Sequence, residues 1–124
     1  MQLPTDGAFQ LDTSVRFSAI TDGLSNTILV GEKHVPLGKF GQGWLDSSLY
    51  NGEYPVCYLR GAGMGVGIAQ FNNEPYWKWG SYHTAVCLFA LCDGSVQTLS
   101  KSIAPDVLGR LCQINDGQVT GGDF

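Results

Sequence analysis

The sequence predicts an α+β fold, an antiparallel β-sheet with a central Asp-Gly hairpin and a short C-terminal helix. Three observations predict it. Apolar runs flank Asp93-Gly94, the spacing of apolar residues lengthens from two towards the helical period after Ser100, and glycine reaches 17 residues while charged residues are only 15%. Ordinary globular chains carry about 25% charge, and many turn formers with few charges mark a turn-rich β protein. The 124 residues fit one domain, 1–124, able to bury about two-thirds of its unfolded surface.

In chain order, residues 1–19 alternate weakly, and 1–15 read as a loop or edge. Ile20 to Thr27, ITDGLSNT, packs side chains that bond their own backbone and tolerate left-handed conformations, so a turn is expected. TILVGEK follows as a strand of mixed burial, and WLDSSLY as another candidate strand. Arg60 to Gln70, RGAGMGVGIAQ, places glycine at every second position from Gly61 to Gly67. It lacks the Gly-Lys-Ser/Thr ending of a phosphate loop and the spacing of a dinucleotide loop, so a mobile loop or a strand with close backbone approach is the expectation. EPYWKWGSYH gathers Tyr76, Trp77, Trp79 and Tyr82. In extended chain Trp77 and Trp79 share a side, either covering a small sheet or stacking sugars or single strands.

In the hairpin, Asp93-Gly94 suits a two-residue type I′ turn. That register pairs Cys92 with Ser95, Leu91 with Val96 and Phe89 with Thr98. One face then carries Cys87, Phe89, Leu91 and Val96, the other Val86, Leu88, Ala90 and Leu99. With both faces apolar, the hairpin is expected inside the sheet. The helix follows: Pro105 suits its first position and Asp106 the positive end of its dipole. Ile103, Val107, Leu108, Leu111 and Cys112 form its apolar stripe, and Asn115-Asp116-Gly117 its stop; 115–124 is the tail.

The formal charge of −4 and the scatter of seven basic residues exclude nucleic acid as a partner. No apolar run approaches the roughly 18 residues of a membrane span. Cys57, Cys87, Cys92 and Cys112 are compatible with two disulfides or with buried free thiols. Cys87 and Cys92 point to opposite faces roughly 16 Å apart along the strand, which excludes a bridge between them. Zinc spacing is absent. Calcium is the one cofactor considered: Asn115, Asp116 and Asp123 supply hard oxygen ligands, although a solvated tail explains them as well. His83 reads as a ligand or switch, or as a strand cap bonded to a neighbouring carboxylate or backbone group. No hydrolase elbow, zinc-protease helix or paired-carboxylate signature occurs, and a Cys87 thiolate would be disfavoured among apolar neighbours. The chain is therefore expected not to be an enzyme.

His83, nine intervening residues, then Asp93-Gly94-Ser95-Val96 resembles the C-terminal His-x9-Asp-Gly motif of a prepilin-like family abundant in planctomycetes, also catalogued as solute-binding proteins. ITDGLSNTILVGEK resembles that family's central signature, carried here by Asp22, Gly23, Ser25, Asn26 and Thr27 before a strand ending in Glu. WGSYH is similar to its approach to the histidine, and Thr84-Ala85 replaces the usual Pro-Gly. The resemblance spans roughly Arg16 to Val119. It implies an extracytoplasmic, pilin-like or pseudopilin-like head of a type II secretion or type IV pilus-like system, partnered by other pilin-like subunits or by itself. The family's apolar amino-terminal helix does not occur in this sequence, so a head fragment or natural truncation with no membrane insertion of its own is expected. A ligand-binding module for solutes or carbohydrate, using the aromatic cluster and glycine-rich loop, is the alternative.

Overall fold

A computed structural model describes residues 6–10, 13–48, 50 and 55–118. Strand β1 is Ile28–Gly31, β2 is Val86–Leu91, β3 is Val96–Ser100, and helix α1 is Pro105–Cys112; single 3-10 turns lie at Phe17–Ala19, Leu24–Asn26 and Pro55–Cys57. The strands form one antiparallel sheet in the order β1-β2-β3. The fold is thus the expected small α+β architecture.

The hairpin is present, but its register is one residue from the expected one. Ala90 pairs with Val96, Phe89 with Gln97 and Cys87 with Leu99. Of the loop residues only Gly94 has a positive φ, at 86°. Its N–H donates to the Leu91 carbonyl at 3.0 Å, and Leu91 N–H donates to Ser95 at 2.9 Å. This is a three-residue loop, a turn closed by a left-handed glycine, rather than a type I′ turn. Leu99 therefore joins Cys87, Phe89 and Leu91 on the buried face, and Val96 lies outside, 66% exposed. A slip of one residue exchanges the faces of one strand against the other. The hairpin is also not wholly interior: β2 is central, but β3 is an edge.

The two-residue turn occurs instead in the glycine-rich segment. Met64 (φ 52°) and Gly65 (φ 83°) are both left-handed, and Gly63 and Val66 exchange backbone bonds of 3.0 and 2.9 Å. Helix α1 packs directly on this turn, because a Cβ on Gly109 would meet the Gly63 Cα at 2.7 Å. The expected close approach of backbones is what the segment provides.

Helix α1 begins at Pro105 with Asp106 in its first turn; Ala104 stands at its N-cap without a side-chain bond. Leu108 and Leu111 are fully buried in a core with Ile28, Ile68, Cys87, Phe89, Leu91 and Leu99, and Ile103, Val107, Cys112 and Trp79 pack against it. A second, smaller cluster of Ile20, Cys92 and Ile114 ties the early chain to the hairpin loop and the segment after α1.

The connection from β1 to β2 is irregular. Two further expectations fail there. The described part of WLDSSLY forms turns and bends rather than a strand, and Leu49 lies outside the described residues. Trp77 stands in a turn, while only Lys78 and Trp79 make isolated bridges, to Gly61 and Lys33. All four cysteines are free thiols, so no disulfide is found. Cys57 faces the Gly43 and Trp44 carbonyls at 3.3 Å, Cys87 and Cys92 belong to different clusters, and Cys112 ends α1.

Candidate functional site

The two segments that carry the resemblance come together. Asp22 is buried, and its carboxylate accepts N–H groups from Asp116 at 2.8 Å and Gly117 at 3.0 Å. Its own N–H donates to the Ile114 carbonyl at 3.2 Å. Gly23, at φ 98°, turns the chain into the Leu24–Asn26 turn. Asn26 Nδ2 donates to the Asp22 carbonyl (3.0 Å) and Thr27 Oγ1 to that of Gly23 (3.1 Å). Ser25 is exposed. The turn in turn holds the hairpin loop: Cys92 N–H donates to Thr27 at 2.9 Å and Asp93 N–H to Leu24 at 3.0 Å.

Asp93 acts within its own turn. One carboxylate oxygen accepts the Ser95 hydroxyl at 2.6 Å and the Ser95 N–H at 2.9 Å, and those bonds hold the carboxyl below its usual range. This closes the loop in which Gly94 supplies the left-handed step.

At the other end of β1, His83 meets Glu32. The imidazole Nε2 lies 3.3 Å from Glu32 Oε1, and Glu32 Oε2 accepts the Leu88 N–H at 2.7 Å. Ser81 Oγ, which donates to Val86 at 2.6 Å, accepts the His83 N–H at 3.3 Å. His83 thus pairs with a neighbouring carboxylate beside the start of β2. Reading one segment at a time conceals Glu32 as the partner. The visible signal was the glutamate directly after β1, which antiparallel pairing brings to β2.

The thiol beside this pair is poorly suited to nucleophilic chemistry. Burial, then the negative charge of Glu32, pushes the Cys87 thiol up to about 12, so it stays protonated at neutral pH. Cys92 is likewise raised, by burial first and Asp93 second.

The aromatic cluster does not form one platform. Trp79 turns inward, edge-on to Phe89 at 5.6 Å. Tyr76 meets Trp44 edge-on at 5.4 Å, and Tyr82 lies tilted on Phe40 at 5.5 Å. Trp77 stays on the rim, with its carbonyl accepting the Gly61 N–H. Phe40, which no motif marks, and Trp44, expected at the head of a strand, are large exposed rings set against this segment.

Of the calcium candidates, Asn115 is exposed and Asp116 accepts the Gln118 N–H at 2.7 Å; Asp123 lies outside the described residues. Both oxygens of neighbouring Asp22 are already occupied by amides. Among the described residues no group of three or more His, Cys, Asp or Glu side chains could hold a metal ion. Among them, too, no helix is long and apolar enough to cross a membrane.

The arrangement defines a class, a small α+β domain whose most distinctive polar side chains bind its own segments together. Over residues 2–106 the chain matches the family model described as "Protein of unknown function (DUF1559)", which also carries a solute-binding label, and the chain belongs to that family. No curated protein and no solved structure matches it.

Proposed function

We propose that the chain is a non-enzymatic structural domain, the extracytoplasmic head of a pseudopilin-like protein that assembles with other pilin-like subunits. The observation that carries this reading is the outward face of the sheet. Val30, Ala90 and Val96 form one cross-strand row, with Val30 45% and Val96 66% exposed. A solvated antiparallel face is ordinarily polar, whereas an apolar row seeks cover. The internal use of Asp22, Glu32, His83 and Asp93 supports the same reading, since these groups hold the fold rather than face a substrate.

Fusing the chain to an apolar amino-terminal helix and following sedimentation tests it. The fusion should assemble while the chain alone remains monomeric, and Val96→Lys in the fusion should reduce assembly. Fusions that stay monomeric sink the reading. So does saturable solute or sugar binding in an array that disappears with Trp77→Ala at unchanged circular dichroism, which establishes the ligand-binding module instead.

A further inference from the structure

Residues 37–44 are exposed without interruption between buried Val35 and Leu45. Three successive turns build this protrusion: Lys39 N–H donates to Pro36 at 3.0 Å, Gln42 to Lys39 at 3.2 Å and Leu45 to Gln42 at 2.8 Å. Gly38 (φ 80°) and Gly41 (φ 71°) occupy the third positions of the first two turns, where a left-handed residue suits a type II turn. The second positions fall to Leu37 and Phe40. These are 63% and 57% exposed, and Trp44 in the third turn is 56% exposed.

The protrusion is held firmly from below. Lys33 pairs with Asp46 at 2.8 Å, and Asp46 accepts the Gly41 N–H at 2.9 Å. Tyr82 supports Phe40, Tyr76 supports Trp44, and the Tyr82 hydroxyl donates to Val35 at 2.8 Å. A fixed loop offering three large apolar side chains from eight residues is unlike the scattered exposed apolar residues of an ordinary surface.

Charge selects the occupant. Lys33 and Lys78 are neutralised by Asp46 and Glu74. Lys39, the one charged residue of 37–44, makes no ion pair among the described residues. Apolar and aromatic residues around an unpaired ammonium match the boundary between acyl chains and phosphate headgroups. A sugar site would need polar groups converging on a flat ring; here the nearby carboxylates are already paired, and both exposed rings are inclined to their tyrosines.

We propose that the loop Leu37–Trp44 docks the protein on a phospholipid bilayer, with Leu37, Phe40 and Trp44 entering the interfacial layer and Lys39 meeting lipid phosphate. The chain lies on the membrane by this contact and does not cross it. The proposal stands apart from the assembly reading.

The test is flotation of the whole chain with vesicles of phosphatidylcholine, alone or with phosphatidylglycerol, alongside quenching of tryptophan fluorescence by brominated lipid. The chain should float and be quenched. Leu37→Ser with Phe40→Ser should weaken binding about tenfold or more without altering circular dichroism. Lys39→Glu should weaken it chiefly on vesicles containing phosphatidylglycerol. Phe17→Ser, at a site 70% exposed elsewhere on the surface, should leave it unchanged. Failure to float overturns the proposal, as does flotation indifferent to the double variant or equally sensitive to Phe17→Ser. Soluble glycan that binds through Trp44 and abolishes flotation also overturns it.

Discussion

At Asp22, two backbone amides replace the water that the carboxylate loses on burial. Bonds to a charged acceptor contribute more than neutral ones. In Asp22→Asn the amide keeps one acceptor but turns an N–H towards a second N–H donor. The expected cost is about 2 kcal/mol, read as a lower urea midpoint with an unchanged slope. An unmoved midpoint would mean that Asp22 does not hold the segment at 116–117. The environment also bears on calcium, because both oxygens already accept an amide and, among the described residues, no group of three or more His, Cys, Asp or Glu side chains could hold a metal ion. Added calcium and EDTA should therefore both leave Tm where it is. The sequence made Asp22 visible as a turn former and resemblance residue. Its partners lay far along the chain, where no local pattern signals them.

Among the elements, β3 carries the sharpest distinction between expected and observed structure. Asp-Gly is compatible with a two-residue turn and with a three-residue loop, because both place glycine in the left-handed region. What separates them is which of Val96 and Leu99 enters the core, a tertiary matter. Leu99 is buried and Val96 exposed. Leu99→Ala is thus expected to cost about 3 kcal/mol, while Val96→Ala should stay within about 0.5 kcal/mol in the unassembled chain. The expected two-residue register, with Val96 paired to Leu91 on the buried face, would reverse that order, so equilibrium denaturation of the two variants decides the register in solution. Helix α1 was far more legible, since proline, aspartate and the apolar stripe all act locally. Its seating was not: Gly109 reads as a helix weakener, and only the contact with Gly63 explains it. Gly109→Ala should accordingly destabilise the chain although it raises helix propensity, because the added methyl meets backbone that cannot step aside.

For the whole molecule, the long connection between β1 and β2 was the least legible part, since it is held by scattered side-chain bonds rather than by a periodic pattern. His34 sits at its centre. It is 2% exposed, and its Nε2 lies 2.8 Å from the Glu74 carbonyl, so a neutral ring bearing the proton on Nε2 satisfies that acceptor. Burial, opposed by the bond to Glu74, lowers its pKa from the ordinary 6.5. A lowered pKa means that the unfolded chain binds more protons than the folded one in that range. Stability is then fully present above about pH 6.5 and falls as pH drops through the folded value. Asp46 acts in the same sense but lower, because the bonds from Gly41 and Lys33 depress a carboxyl whose ordinary value is 3.8. The two windows separate by substitution. His34→Gln keeps a donor for Glu74 and removes the ring that titrates, so the wild type should lose stability as pH falls below about 6.5 while this variant changes less there, and both should weaken at more acid pH, where Asp46 protonates. Thermal melts across that range read the difference. An equal slope in the two proteins would assign the upper window to another group and remove His34 as the acid-sensitive point of the connection.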